Sequence, residues 1–500
     1  MGRLPWLRRG VSTLALTVVL VVPATATAAG SVPGTPGSAG LGDRLFPTLG
    51  NGGYDVRHYH LALRYATSDP AQSIDGTVTI TARATQSLSS FNLDWAGDAV
   101  GAVEVDGRPA TFSQHDEDLV ITPARTLRDG RRFVVEVSHF TATPTVVDPD
   151  DDTTTAFFVS PDGSATALQP AYAHRVFPSN DHPRDKASSS FAIDVPEGTT
   201  AVANGVLAGT STRNGRTVWR YRQRQPMATE LTQLAVGDFE VTRRGEADGV
   251  PLRDVTPRRL SVELLPDLAL AAGHMAWLQD RVGRYPFDLY GSLVVDAPVG
   301  FALETQTLSF YDTAWFDEPQ GVWEPTMVHE LAHQWFGDSV SPWEWSDLWL
   351  NEGHATWYEV FYAEEKGQLA EDTGGYATVE ELMRRVYALG DQWRAEFGPV
   401  ARQASAELET FFSPNVYFGG ALALYALRQK VGDDAFDAIE RAWVSRYEGE
   451  SASTDDFIAL ASEVSGEDLT AFLGRWVYGT ETPPMPGHPD WTVEPVPAPV

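Results

Sequence analysis

At 500 residues the chain can bury a large core, as two or three domains, and its 68 acidic against 37 basic residues argue against a nucleic-acid surface or a patch for anionic membranes. It contains no cysteine, which excludes disulfide staples, thiolate catalysis and a cysteine-based metal site. The formal net charge of -31 favours solubility and a weak attraction for cationic peptides.

Residues 1–28 read as a targeting segment. Arg3, Arg8 and Arg9 precede an apolar stretch from Val11 to Val22, and Ala24-Thr25-Ala26 or Ala26-Thr27-Ala28 offers small-residue cleavage sites. The stretch is short for a bilayer span and stops at Pro23, so cleavage near Ala28 and export are expected rather than a stable membrane anchor. Gly10, Val11 and Ser12 after Arg8-Arg9 lack a strong apolar pair, which favours general secretion over twin-arginine export. Residues 29–50, rich in Gly, Pro and Ser, read as a flexible linker.

From Asp55 the pattern alternates: Val56, His58, His60 and Leu61 to Tyr65, then Thr77 to Ala84, Phe91 to Trp95 and Arg132 to Phe140. Short strands between Gly, Asp, Ser and Pro turns predict a β domain over residues 51–250. His58 and His60 share a strand face and have metal-binding chemistry, but without a third ligand an ordinary strand surface is the favoured reading. Asp148 to Asp152 reads as a solvated acidic turn ahead of a calcium loop, because no Glu or Gly follows at calcium-motif spacing. Arg184, Asp185 and Lys186 read as structural surface charges.

After Pro257 helical periodicity takes over. Leu268 to Val282 predicts a helix and Leu289 to Val295 an apolar strand. Trp323, Val328, Leu331 and Trp335 then recur at helical spacing around His329-Glu330-Leu331-Ala332-His333. Histidines four apart project from one helical face and can share one Zn²⁺, while Glu330 is rotated aside and can reach an attacking water without being a ligand. A third ligand is available in Leu350-Asn351-Glu352-Gly353, after eighteen intervening residues. Helical pattern resumes from Glu352 to Phe361. Glu359, two turns beyond Glu352, reads either as the carboxylate that orients a zinc histidine or as an ordinary exposed helix glutamate. Further helices are expected over Thr378 to Leu389, Leu422 to Leu427, Phe436 to Val444 and Asp455 to Val464.

His329-Glu330-x-x-His333 with eighteen residues before Glu352, inside Trp-Leu-Asn-Glu-Gly-His-Ala-Thr, resembles the aminopeptidase N family of zinc metallopeptidases. The resemblance covers about residues 51 to 485. It implies an α+β multidomain fold, with an amino-terminal all-β, saddle-like domain followed by a thermolysin-like, mixed and mainly helical catalytic domain over residues 251–482. It also implies one Zn²⁺ per chain on His329, His333 and Glu352, with Glu330 as general base. Three other elements are similar to family motifs. Gln169-Pro170 followed by Phe177-Pro178-Ser179-Asn180-Asp181-His182-Pro183 implies that Gln169 helps bind a substrate amino group. Gly300-Phe301-Ala302-Leu303-Glu304-Thr305 is a variant of Gly-Ala-Met-Glu-Asn and implies the same for Glu304; Phe301 in place of Gly alters the side pocket. Tyr417, before Gly419-Gly420-Ala421, implies a phenol that donates to the oxyanion.

Residues 483–500 read as a Pro-rich tail that needs no core. The expected function is that of a secreted zinc aminopeptidase acting on peptides with a free amino terminus, and a monomer is expected. An endopeptidase, an epoxide hydrolase and a non-catalytic peptide-binding protein are the alternatives; Glu304 argues against the first, and the presence of ligands, base and oxyanion donor together against the last.

Overall fold

The computed structural model describes residues 34–144 and 156–495. The targeting segment expected over residues 1–28 and the acidic run Asp148 to Asp152 lie outside them. Among the described residues no helix is long and apolar enough to cross a membrane.

The amino-terminal half is built of strands, as the alternation predicts. Its main sheet has eight strands, in the order Val206–Arg213, Arg216–Met227, Ala187–Pro196, Tyr54–Tyr65, Ile74–Ala84, Arg132–Ala142, Ala102–Val105 and Arg108–Pro109. All neighbours are antiparallel except Ala187–Pro196 against Tyr54–Tyr65. A register shift between Val56 and His58 explains why Tyr54 and Val56 share the buried face with Tyr59, Leu61 and Leu63. One extra residue flips the parity of every side chain after it. His58 and His60 therefore face outward, where their ring nitrogens meet the Ser188 and Ser190 hydroxyls at 2.8–2.9 Å. They are strand-surface residues.

The boundary expected at residue 250 falls inside a hairpin. Strands Phe239–Ala247 and Val250–Pro257 continue into Ser292–Val295 and Ser309–Asp312 as one four-stranded sheet. That sheet is a wall between two cores. Leu293, Val295 and Phe310 pack with the β-domain core, whereas Val294 and Tyr311 pack with the helical core, as the two-residue period of a strand requires.

On the helical side, the single helix expected over Leu268 to Val282 is two, Ser261–Leu268 and Ala271–Val282. Helix Gln320–Ala332 carries Pro325 in its interior, and His333 at its end keeps helical dihedrals, so His329 and His333 stay on one face. Helix Trp349–Lys366 starts three residues before Glu352 and stops at Gly367, whose φ of +71° suits a left-handed cap. It crosses helix Pro414–Val431 at two glycines. A Cβ on Gly353 would lie 2.9 Å from the Gly420 Cα, and one on Gly420 would lie 2.8 Å from the Gly353 Cα. Only paired glycines permit that approach, and it brings Tyr417 beside Glu352.

Two expectations need correction. Residues 34–50 are not a free linker: Leu45 and Leu49 are buried, Asp43 accepts from the Trp345 amide at 2.7 Å and faces His182 Nε2 at 3.2 Å, and Arg44 donates to the Gln403 carbonyl at 2.7 Å. The segment straps the two halves together, through single polar anchors that composition conceals. Nor is the described part of the tail free of the core. Trp491 is buried, stacks on Tyr425 at 5.9 Å and meets Tyr387, and the Glu494 amide donates to the Ala388 carbonyl at 2.7 Å.

Candidate metal centre and active site

Helices Gln320–Ala332 and Trp349–Lys366 bring His329, His333 and Glu352 together, with one ligand atom from each within 4.8 Å of the others. The Glu352 Oε2 atom lies 3.4 Å from His329 Nε2 and 3.3 Å from His333 Nε2. Each ring is oriented through its other nitrogen. His329 Nδ1 donates to Glu359 Oε2 at 2.8 Å, and His333 Nδ1 donates to the Phe336 carbonyl at 3.1 Å. Both Nε2 atoms are thereby turned toward the Glu352 carboxylate. Two imidazoles and a carboxylate, all buried and with their tautomers set from behind, fit Zn²⁺. A neighbouring group, Glu304, Glu330 and His333, also lies within 4.8 Å.

Glu330 is buried, and its Oε2 has no hydrogen-bond partner. Burial pushes its pKa up to about 8, against the pull of His329 and His333. Burial also raises Glu304, and His333 opposes it. Glu352, despite burial, is held at about 2 by the two histidines. The Tyr417 phenol is raised well above its ordinary value by burial and then by Glu352, Glu304 and Glu330, so it keeps its proton. Its ring lies 6.0 Å from that of His329, nearly parallel.

The Gln169 Nε2 donates to Glu304 Oε1 at 2.6 Å, joining the β domain to the segment beside the metal cluster. The amide oxygen of Gln169 and the second oxygen of Glu304 remain as acceptors at one place. These residues line a cavity of about 480 Å³ that also reaches Glu330, Glu352, Glu359 and Tyr417. Aromatic side chains contribute to its walls, among them Phe158, Tyr172, Phe301, Trp315 and Phe412. Phe301 meets Phe158 edge-on at 5.7 Å, so the residue that departs from the family pattern forms part of the wall.

Gln169, Glu304, His329, Glu330, His333, Glu352, Glu359 and Tyr417, the site residues expected from the sequence, all line this one cavity. The run Phe177 to Pro183 does not reach it among the lining residues. That run is scaffolding: Asp181 accepts from the His174 ring at 2.6 Å and from Thr229 at 2.7 Å, and Asn180 accepts from the Asn51 amide. Sequence reasoning missed Gln334. Its Nε2 donates to the Glu304 carbonyl at 2.9 Å while its Oε1 accepts from the Thr307 amide at 2.8 Å, so the residue after His333 fixes the Glu304 segment to the metal helix. Its adjacency to His333 was the available signal. Asp185 and Lys186, expected at the surface, are drawn inward. Asp185 is buried and accepts from the Val56 amide, and Lys186 reaches across to the catalytic half.

Residues 282–476 match the family described as Peptidase family M1 domain, and residues 56–231 match the Peptidase M1 N-terminal domain. Aminopeptidase N of Streptomyces lividans is 29% identical over 348 residues, 66% of this chain and 39% of its own length. Probable aminopeptidase 1 of Sulfurisphaera tokodaii is 24% identical over 416 residues, 80% of this chain and 50% of its own. This chain spans between 34% and 50% of the length of such curated relatives. A solved M1 zinc metallopeptidase from Deinococcus radiodurans superposes with a TM-score of 0.74 at 30% identity, over 89% of this chain and 99% of that one. A mutant of that protein bound to a Tyr-Ser-Ala substrate gives a TM-score of 0.75 over 90% and 100%.

Proposed function

The chain belongs to the peptidase M1 family of zinc metallopeptidases, and from that premise we propose that it is an exported aminopeptidase that removes the first residue of peptides. The observation that carries the exopeptidase reading is the Gln169–Glu304 pair, 2.6 Å apart across two domains and set at the cavity that holds the metal cluster. A carboxylate and an amide oxygen converging in a buried place suit one ammonium group. An endopeptidase has no use for them.

His329, His333 and Glu352 would hold the ion, and Glu359 and the Phe336 carbonyl orient the two rings. Zn²⁺ bound there supplies a Lewis acid that polarises a carbonyl and acidifies water. Glu304 and Gln169 take the substrate's α-ammonium and so place the first peptide bond, not a later one, beside the cluster. Glu330, with an unpartnered carboxylate oxygen, takes the proton from the attacking water and delivers it to the leaving amine. Tyr417, protonated at neutral pH, donates to the carbonyl oxygen as charge develops on it. The aromatic walls keep water from the site and receive the first side chain. The Deinococcus radiodurans protein bound to Tyr-Ser-Ala supports a short peptide as the class of substrate.

The test is hydrolysis of amino-acid arylamides and matched amino-blocked peptides by the mature protein, with and without a zinc chelator. Chelator-sensitive release from free-amino substrates alone is expected. Equal cleavage of blocked peptides would replace this reading by an endopeptidase, and zinc binding without cleavage by a peptide-binding protein. Export rests on Arg3, Arg8 and Arg9 ahead of the Val11 to Val22 stretch, and mass determination of the mature amino terminus, expected near Ala28, checks it.

A further inference from the structure

The chain leaves the metal helix by a wide turn. The amides of Asp338, Ser339 and Val340 donate back five residues, to the carbonyls of His333, Gln334 and Trp335 at 3.0, 3.1 and 3.2 Å. The four carbonyls that follow lie in the turn beyond the helix and are met by side chains, that of Ser339 also taking the Gly449 amide at 2.9 Å. The Phe336 carbonyl takes the His333 ring at 3.1 Å and that of Gly337 takes the Ser341 hydroxyl at 2.6 Å. Those of Asp338 and Ser339 take the Lys186 ammonium, at 2.8 and 2.7 Å, and the Glu450 carbonyl takes it at 3.3 Å.

Lys186 comes from the β domain, one residue before strand Ala187–Pro196. Side chains of its neighbours are tied to the β domain on both sides: the Asp185 carboxylate accepts from the Val56 amide at 3.0 Å, and the Ser188 hydroxyl donates to the Arg57 carbonyl at 3.1 Å. The choice of residue is pointed. The chain has three lysines among its 37 basic residues, so arginine is its usual cation. Three diverging ammonium N–H bonds suit three separate carbonyls, whereas the planar guanidinium fork suits one carboxylate.

We propose that Lys186 is a positioning residue for the metal centre: it holds the Asp338 and Ser339 carbonyls, and so fixes the loop whose Phe336 carbonyl orients His333. The docking of the β domain is thereby transmitted to metal affinity, although Lys186 touches neither metal ligand nor substrate. The inference rests on the zinc centre of the proposed function.

The experiment is zinc retention, read by competition with a chromophoric chelator, alongside kcat and KM on an arylamide. K186C is suited to it, because the chain has no other cysteine and the thiol can be aminoethylated in the unfolded chain, which restores an ammonium at nearly the same length. K186C is expected to hold zinc about 10- to 100-fold more weakly, the usual effect of losing a group that orients a ligand. kcat at saturating zinc falls with little change in KM, and aminoethylation restores both. Wild-type zinc retention in folded K186C overturns the proposal, and so does a loss that aminoethylation fails to repair. Should K186C not fold, K186R takes its place, expected to retain zinc several-fold more weakly; wild-type retention there overturns the proposal equally. Wild-type protein that binds no zinc would instead refute the metal centre itself.

Discussion

Glu304→Gln tests the exopeptidase reading most directly. Glu304 is 3% exposed, its Oε1 accepts from Gln169, and its backbone carbonyl is held by Gln334, so an amide of the same shape leaves the scaffold in place. What disappears is one negative charge where a substrate ammonium would sit. A hydrogen bond to a charged group contributes about 1.5–3 kcal/mol, and each 1.4 kcal/mol is tenfold, so kcat/KM for free-amino arylamides should fall about 10- to 150-fold. Zinc content should not change. Thermal stability should hold or rise, because burial raises the pKa of Glu304 despite the opposing pull of His333, and a neutral amide removes the cost of a buried charge. Gln169→Ala should cost less, about 3- to 10-fold, as the loss of a neutral partner. Because the two side chains touch, the double variant should lose less than the product of the single losses. The assay is kcat/KM on leucine and phenylalanine arylamides beside their acetylated forms. A Glu304→Gln enzyme within threefold of wild type on free-amino substrates would refute recognition by this carboxylate.

Other outcomes follow from the same geometry. Glu330→Gln should lower kcat about 10²- to 10⁴-fold with zinc still bound by metal analysis; undiminished turnover would remove it as the base. Tyr417→Phe should lower kcat by about 10²- to 10³-fold, the usual effect of one oxyanion donor, with KM nearly constant, and a change confined to KM would point to packing instead. Glu359→Gln should weaken zinc retention about 10- to 100-fold in chelator competition, because the amide is a poorer acceptor for the His329 N–H; unchanged retention would return Glu359 to an ordinary helix residue. Remote from the site, burial opposes charge on His174, but the Asp181 hydrogen bond and Glu117 raise its pKa to about 9. A folded value above the unfolded one, about 6.5, means stability fully present below pH 6.5 and lost as pH rises through 9, by about 3 kcal/mol for this side chain, which is 2% exposed. Denaturant melts at pH 6 and pH 9.5 should show that loss in wild type and a smaller one in His174→Gln; equal slopes would refute it.

The candidate metal ligands were legible because a helix converts residue spacing into direction. His329 and His333 four apart, and Glu352 and Glu359 seven apart, fall on fixed faces whatever packs around them. Strands were legible by the same logic with a period of two, except where one inserted residue near Arg57 reverses the parity, which no composition rule signals. The segments judged by composition alone were misread. Residues 34–50 look like a linker and residues 483–495 like a loose tail, yet Asp43, Arg44 and Trp491 each have a specific partner more than 50 residues away.

From the sequence alone came the residue types, the helical faces and hence a candidate zinc site of two histidines and a glutamate. Tertiary structure alone decided that Gln169 and Glu304 meet, that Gly353 and Gly420 let two helices close on Tyr417, and that Lys186 reaches the metal loop. The reason is physical. Periodicity acts over a few residues and is written into the order of side chains, whereas a partner 135 residues away is chosen by which surfaces pack together, a property of the whole core.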